Sequence, residues 1–363
     1  MFLLKYINIW ILLSLLLLST SLYSKDKDQT TEGYTISKIR ITNISIHSAT
    51  ASNAMNIVNS RGLNQIGSDS KEIVKSSISN FQGQGLEWET DIRHSNFIRT
   101  NYFLSHASLS SGNNKLNDLS TLNYSASGSP VSLNDLSFKT FSNNTLITSR
   151  IAFLTDFFFF ENSSNKLLEN LALRIGFETY GNTFTASSKP YPYVGTSNGT
   201  PYSGIDSTYL EKVKFSEVFG NAVIGLNYKF NLTPLSSLDF GLEYFQSFAN
   251  DSRYENRSIT LYISPSISFP GGSKIGGIVK SELEGFRTSL GYRYDFSEIT
   301  FFRISFAYQE SVQKIKETNL PDSSGFLSNN ALQFVSTVIP PMGPFPTARD
   351  TRSQIGIEFG YKY

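Results

Sequence analysis

The C-terminal ten residues, Gln354–Tyr363, read QIGIEFGYKY. Apolar or aromatic residues occupy the five odd-numbered positions, and the even-numbered positions carry Gln, Gly, Glu, Gly and Lys. Because successive side chains of a β-strand point to opposite faces, this segment as a strand has one continuous apolar face and one polar face. Ten residues are also the length of a tilted strand that spans a lipid bilayer.

The same alternation recurs along the chain, in the segments 171–178, 222–230, 238–244, 286–296 and 302–309. In each segment the large residues share one face, while the other face mixes Gly, Ser and charges of both signs. A soluble β-sandwich also alternates, but its second face is seldom so rich in Gly. We therefore predict an all-β fold, a transmembrane antiparallel up-and-down β-barrel that turns its large side chains toward lipid.

We predict about twelve strands, with a range of 10–14, at 36–46, 84–93, 96–105, 146–160, 170–180, 214–230, 238–248, 257–269, 274–283, 285–296, 299–310 and 354–363. An even number is usual for bacterial single-chain barrels, as are short periplasmic turns and longer outer loops. The short connections are then near 94, 161–169, 231–237, 270–273 and 295–298. The long connections, which we expect at the external end, are 47–83, 106–145, 181–213 and 311–353.

The N-terminal 24 residues read as a secretory signal peptide. Lys5 supplies the positive charge, residues 7–18 form the apolar core, and small residues precede the charged run that starts at Lys25. An uncleaved anchor helix is the alternative reading, but the apolar core is short for a membrane span. We predict that residues 1–24 are removed on export.

The region after the signal peptide is the least regular part of the sequence. Ala49–Ser60 and Ser70–Ser79 look weakly helical. We expect residues 25–83 to hold the first strand plus a loop or plug, and residues 84–363 to form the main barrel. A small periplasmic domain over 34–105 is an alternative for this part of the chain.

Composition excludes several classes of protein. The formal net charge is +1, and no strongly basic block is present, so we expect no nucleic-acid partner. Aromatic residues reach 14% of the 363 residues, mostly as Phe and Tyr, as expected for a barrel with aromatic girdles. The chain contains no Cys, which excludes disulfides, thiolate metal sites, a cysteine nucleophile and a lipid-modified N-terminal cysteine.

The C-terminal segment resembles the assembly signal of bacterial outer-membrane β-barrel proteins, which alternates hydrophobic residues and finishes on an aromatic. The matching positions are Ile355, Ile357, Phe359, Tyr361 and Tyr363. The resemblance covers about ten residues directly and implies an architecture and a membrane rather than a substrate. It implies location in the bacterial outer membrane, with outer-membrane lipid and the barrel-assembly machinery as partners.

Charged residues on the polar faces of the predicted strands are the best functional candidates. If the large face meets lipid, the residues that line the pore are Arg174, Glu178, Lys229, Asp239, Glu243, Arg287, Arg293, Arg303 and Glu358. Mixed charges across a watery lumen tune ion selectivity. Equally, they could pair with one another into a network that closes the barrel.

The sequence favours a porin-like channel for passive diffusion of small polar solutes, because the predicted inner face is polar. One alternative is a closed surface barrel whose long outer loops bind ligands or host molecules. Another is a transporter of apolar compounds. The three histidines, His47, His94 and His106, form no close metal-binding spacing. We expect no enzyme activity, no catalytic or metal-binding residues and no cofactor.

Deleting Tyr363, or replacing both Phe359 and Tyr361 with Ser, should lower the amount of barrel inserted in the outer membrane. The reason is that the assembly machinery is expected to bind this strand. Heat-modifiable migration of the outer-membrane fraction on gels measures the folded amount. Wild-type levels of either variant would contradict the assigned assembly signal.

Overall fold

In a computed structural model, the described residues are 33–66, 78–111, 118–122, 135–139, 141–160, 168–188, 191–197, 200–206, 210–264, 267–319, 324–327 and 347–363. All described elements belong to one compact unit, Tyr34–Tyr363. The predicted signal peptide, residues 1–24, lies outside the described residues, as does the predicted helical segment Ser70–Ser79 apart from its last two residues.

The described residues form fifteen strands and one helix. In chain order these are β1 (Thr35–His47), α1 (Ala49–Ile66), β2 (Asn80–Arg93), β3 (Ile98–Ser110), β4 (Asp118–Leu122), β5 (Asp135–Lys139), β6 (Phe141–Phe157), β7 (Leu171–Ser188), β8 (Tyr191–Ser197), β9 (Thr200–Asp206), β10 (Leu210–Thr233), β11 (Ser236–Ser264), β12 (Ile267–Asp295), β13 (Thr300–Asn319), β14 (Ser324–Leu327) and β15 (Ala348–Lys362).

Ten of these strands close into one antiparallel barrel, in the order β1, β2, β3, β6, β7, β10, β11, β12, β13 and β15. The first and last strands complete the circle, with a register that runs from Ile36 opposite Lys362 to His47 opposite Thr351. The strands β4 and β5 form a separate hairpin, as do β8 and β9, and β14 pairs with β12. The all-β closed barrel agrees with the sequence prediction.

The predicted number of about twelve strands was wrong, because the four segments predicted between 238 and 296 form two strands of 29 residues each. Residues 249–256, which separate two of the predicted strands, belong to β11, where the register with β12 shifts between Gln246 and Ser252. The predicted short turn at 270–273 lies within β12, paired with β11. Alternation of apolar and polar residues fades in these parts of the hairpin, so the sequence pattern did not indicate continuous strands there.

The connections separate by length, as the sequence predicted, with one exception. Short turns join β2 to β3, β10 to β11 and β12 to β13 at the end where the chain termini meet, and residues 158–170 connect β6 to β7 at the same end. At that end the backbone of Thr35 and Tyr363 is joined by two hydrogen bonds of 2.9 Å. The opposite end carries α1 and the connections that contain β4–β5, β8–β9 and β14. The exception is the tight link between β11 and β12 at this long-connection end, residues 265–266.

An apolar belt surrounds the outside of the barrel. It contains outward-facing side chains that are between about 40% and 67% exposed, among them Ile39, Ile41, Leu86, Leu104, Phe153, Ile175, Phe177, Ile224, Leu226, Phe240, Leu242, Phe248, Ile304, Phe306, Ile355, Ile357 and Phe359. Toward the long-connection end the outward positions become polar, as at Asn43, Gln82, Ser108 and Lys314. No described helix is long and apolar enough to cross a membrane.

The inner face of the barrel is filled by side chains. Near the middle, one buried apolar cluster includes Phe103, Tyr180, Phe219 and Phe245. At the long-connection end, a second cluster combines residues of α1 with inward-facing residues of nine strands: Ala51, Ala54, Met55 and Ile57 with Ile44, Ile46, Phe81, Ala107, Leu109, Leu146, Phe184, Ala186, Val213, Phe215, Tyr254, Val279 and Ile315. The first turns of α1 therefore lie inside the barrel mouth.

Placing Arg at Leu242, on the apolar belt, should destabilise the barrel in lipid vesicles by about 2–4 kcal/mol, because the guanidinium would enter hydrocarbon. Ser108→Arg is the matched control. Ser108 also faces outward but lies in the polar zone, where a surface substitution should change stability by no more than about 0.5 kcal/mol. Urea titration of refolded protein measures both values. Equal losses would argue against a lipid-facing belt.

Candidate functional site

The nine charged residues predicted to line the lumen all occupy inward positions, between exposed outward neighbours on the same strands. Eight of them take part in ion pairs: Arg174, Glu178, Asp239, Glu243, Arg287, Arg293, Arg303 and Glu358. Within the ranges that the structure describes, Lys229 has no carboxylate at ion-pair distance. The pore-lining role of these residues stays a prediction, while their mutual pairing is a structural observation.

Cluster A crosses the lumen between strands β3, β6, β7, β11 and β12. It contains four guanidinium groups and three carboxylates, from Arg99, Arg150, Asp156, Arg174, Glu178, Glu243 and Arg287. Glu243 is its centre, because its carboxylate oxygens lie 2.7 Å from Arg174 Nη1, 2.6 Å from Arg287 Nη1 and 3.4 Å from Arg150 Nη2. Strands from both sides of β10 are thereby joined through side chains as well as through the sheet.

Further contacts fix the members of cluster A in place. Asn221 Nδ2 donates to Glu178 at 2.9 Å, and Asn227 Nδ2 donates to Asp156 at 2.9 Å. The guanidinium of Arg150 lies 4.7 Å from the centre of the Phe103 ring, and that of Arg287 lies 5.0 Å from the centre of the Phe245 ring. Cation–π contact and hydrogen bonds thus supplement the ion pairs.

Cluster B lies mainly on β1, β2, β13 and β15, with one member, Asp239, on β11. It consists of Lys38, Arg40, Glu87, Glu89, Asp91, Asp239, Arg303 and Glu358. Arg40 Nη1 lies 2.6 Å from Glu87, and Arg40 Nε donates to Glu358 at 2.8 Å. Glu358 also pairs with Arg303 at 3.5 Å. The seam between the first and last strands is therefore reinforced by side-chain ion pairs on its inner side.

Inward-facing glycines make room for these long cations. A Cβ atom at Gly356 would lie 2.6 Å from Arg40 Cδ, and one at Gly291 would overlap the guanidinium of Arg303. The Gly-rich face noted in the sequence is thus the face against which arginines pack. Substituting either glycine would displace a member of cluster B.

A cavity of about 30 Å³ remains between the clusters and the long-connection end. Its lining includes Glu87, Arg150, Arg287, Gln309, Arg352 and Gln354. Such a volume accommodates one or two water molecules, which is too small for an organic solute.

Sequence reasoning missed three of the seven residues of cluster A and five of the eight residues of cluster B. Arg150 and Asp156 lie on a predicted strand, and the outward alternation of Ile147, Ile151 and Phe153 would have assigned both to the lumen. The partners on β1 and β2 were missed because these strands lie in the least regular part of the sequence, where alternation does not assign side chains to the lumen. No local pattern indicates which charges meet across the lumen.

The predicted assembly residues all lie on the outer face of β15. Ile355, Ile357, Phe359, Tyr361 and Tyr363 are between 48% and 63% exposed. The rings of Tyr361 and Tyr363 stack with centroids 6.0 Å apart. Recognition of this strand by an assembly machinery stays a prediction.

The histidines lie apart from the ion-pair clusters. His94, in the β2–β3 turn, hydrogen-bonds to Thr100 at 2.9 Å, and His47 hydrogen-bonds to Asn80 at 3.0 Å. His106 faces outward and contacts Ser149 at 2.9 Å. Among the residues that the structure describes, no group of three or more His, Cys, Asp and Glu is arranged to hold a metal ion.

No protein-family model matches the chain, and no curated protein matches it. Among solved structures it is similar to the outer membrane protease OmpT from Escherichia coli, with 8% identity, 93% and 99% of the two chains covered and a TM-score of 0.42. It is also similar to the P. putida toluene transporter TodX, with 9% identity, 92% and 90% coverage and a TM-score of 0.27. An anion-selective porin from Comamonas acidovorans gives 9% identity, 92% and 99% coverage and a TM-score of 0.16. At these values nothing about activity or substrate follows for this chain.

Glu243→Gln should destabilise the barrel by about 3–5 kcal/mol, because three buried guanidinium groups lose the carboxylate that they share. The control is Glu282→Gln. Glu282 pairs with Lys316 at 2.9 Å on the exposed outer face, where an ion pair contributes about 0–1 kcal/mol. Denaturant unfolding followed by tryptophan fluorescence compares the two variants. Similar losses would mean that cluster A is not a stabilising network.

Proposed function

We propose that this chain is a bacterial outer-membrane β-barrel that spans the membrane with its lumen closed, and that it acts through its long-connection end as a surface-binding protein. The observation that carries the proposal is the pairing of the lumenal charges in clusters A and B. A passive pore presents its charges to permeating ions, whereas here eight of the nine predicted charges are held by partners.

The placement in a membrane is supported by the outer surface. The apolar belt consists of large side chains that are exposed to solvent in the isolated chain, and such a continuous apolar surface requires a covering. A closed barrel leaves no sheet edge unpaired within the belt, which is the condition for strands to cross hydrocarbon. The predicted signal peptide and the terminal aromatic residue agree with export to the outer membrane.

The closure of the lumen is supported at two levels. Clusters A and B fill the middle of the barrel, and the first turns of α1 fill the mouth at the long-connection end. Ten strands enclose a narrow interior that side chains can fill, in contrast to the porins of 16–18 strands.

The functional surface is inferred from the asymmetry of the two ends. Three of the connections at one end are long and carry their own hairpins or helix, whereas the opposite end has short turns. Loops on a rigid scaffold are the usual place for ligand contacts.

A porin-like channel for small polar solutes is the second candidate. It is favoured by one observation, the polar and charged character of the inner face at mid-barrel. Conduction would require clusters A and B to part. A transporter of apolar compounds is less well supported, because the mid-barrel lumen presents charges rather than an apolar path.

Refolded protein in a planar bilayer should show no unitary conductance, because the paired charges leave no open path. The double variant Arg287→Ala with Glu243→Ala removes two bulky members of cluster A and should produce measurable conductance. Heat-modifiable migration establishes that both proteins are folded before recording. Regular wild-type channels would overturn the closed-barrel proposal in favour of the porin. Their reversal potential in a salt gradient, with Arg293 and Arg303 changed to Glu, would then report ion selectivity.

A further inference from the structure

The start of α1 is fastened to the barrel wall by side chains from two strands. Ala49 N donates to Asp350 Oδ2 of β15 at 3.3 Å, and Asn182 Nδ2 of β7 donates to Thr50 Oγ1 at 3.2 Å. The helix also caps itself, because Ser48 Oγ accepts from Ala51 N at 3.2 Å. The first turn of α1 is thus positioned by buried polar contacts as well as by the apolar cluster around Met55.

Glu217 of β10 lies beside this first turn, and it is 1% exposed. Its carboxylate accepts hydrogen bonds from Ser281 Oγ at 3.2 Å and from Gln313 Nε2. In the described part of the chain, no ion pair joins Glu217 to a Lys, Arg or His. This buried acid therefore differs from those of clusters A and B, each of which has a cationic partner.

The site lies outside the apolar belt. Toward the long-connection end, the outward positions of β10 beyond Glu217 are Ser216, Lys214 and Lys212. On β15 the outward neighbours of Asp350 are Arg349 and Thr351. At this level water replaces lipid around the barrel, so both carboxyl groups would be hydrated if α1 left the mouth.

Protonation of these two acids is favoured by their surroundings. Burial raises the pKa of Glu217 to about 7, an effect to which the nearby Asp350 carboxyl adds, while hydrogen bonds from Thr50, Ser281 and Gln313 partly offset it. Burial also raises the pKa of Asp350, against the opposing effects of Arg352 and of the Ala49 N–H.

The remaining charged and titratable groups around the site do not neutralise Glu217. Arg352 of β15 donates to Thr148 and Tyr180 instead, at 2.8 and 2.5 Å. His47 of β1 acts on Asp350, and Tyr254 of β11 belongs to the apolar cluster around α1.

Several buried oxygens at this site lack a donor. Glu217 Oε2, Asp350 Oδ1, Asn182 Oδ1 and Asn53 Oδ1 have no hydrogen-bond partner among the described residues. Two buried donor groups, Asn53 Nδ2 and Arg352 Nε, also have no partner among the described residues. Four unpartnered oxygens therefore stand beside two unpartnered donor groups, and a proton on either carboxyl group supplies a further donor. The geometry therefore fits a neutral Glu217 better than an ionised one.

We propose that Glu217 and Asp350 form a proton-dependent latch that holds α1 inside the barrel mouth in acid and releases it as the pH rises. Docking buries both carboxyl groups, and the docked state accordingly binds protons more tightly than the undocked state. The free energy that Glu217 contributes to docking is fully present below pH 4.5, the ordinary pKa of a Glu carboxyl. It is lost as the pH rises to about 7, the pKa of Glu217 in the docked state. The latch goes beyond the proposed surface function and does not depend on the identity of a ligand.

Cysteine accessibility tests the latch, since the natural chain has no Cys. Ala54→Cys places a thiol on the buried face of α1, and Ser108→Cys places one on the exposed outer wall. In the folded full-length protein in detergent, the rate of modification by a maleimide is measured from pH 5 to pH 8. Dividing the rate for Ala54→Cys by the rate for Ser108→Cys removes the intrinsic pH dependence of the thiol. Between pH 5 and pH 8 this ratio should rise, up to about 70-fold if the whole pKa shift of Glu217 is linked to docking.

The variant Glu217→Gln mimics the protonated acid, so its ratio should stay low and nearly flat across the pH range. The matched control Glu282→Gln, on the exposed outer wall, should retain the wild-type rise. If Glu217→Gln does not give a heat-modifiable band, Asp350→Asn takes its place and should reduce the rise. A flat wild-type ratio, or a full rise in the folded Glu217→Gln variant, would overturn the latch. Neither result depends on whether the barrel conducts.

Discussion

The backbone ladder between β1 and β15 is the constraint on which the rest of the structure depends. Without it the sheet has two open edges, and the unpaired N–H and C=O groups of Ile36–His47 and Thr351–Lys362 would be exposed. With it, every strand of the barrel has two neighbours, and the outside can be apolar without leaving polar backbone unsatisfied. The cross-strand ion pairs of Arg40 and Glu358 lie on the inner side of this same seam.

Closing only ten strands determines what the inner face must contain. The lumen is too narrow to stay empty and wide enough to require long side chains, so arginines reach across it to carboxylates on facing strands. Each buried charge is costly alone and tolerable with its partners, which makes the network sensitive to the loss of any single member. Glycines such as Gly291 and Gly356 complete this arrangement, because they provide the volume that the guanidinium groups fill.

The sequence predicted the parts of the fold where apolar and polar side chains alternate, and missed the parts where they do not. Inside the belt each strand must alternate, and the prediction of an antiparallel barrel with long and short ends was correct. In β11 and β12 alternation is lost over part of the 29 residues while pairing continues, so the number of strands was overestimated. Alternation along each strand identified the inward charges from Arg174 onward. It did not identify their partners, because Arg174 and Glu243 become neighbours only when the strands have closed into a barrel of ten. Glu217 carries no local signal, since its lack of a cation is a property of the assembled interior.

The seam between β1 and β15 also determines the order in which the strands of the barrel can pair as the chain is made. Its strands come from opposite ends of the chain, so that Ser37 contacts Tyr363 across a separation of 326 residues. During synthesis the first strand is made long before its partner, and the contact that completes the circle has the largest loop-closure cost in the chain. Until the last residues arrive, β1 presents an edge able to pair with any other strand. The distance in sequence between the two strands of the seam therefore sets how long this edge of β1 stays unpaired.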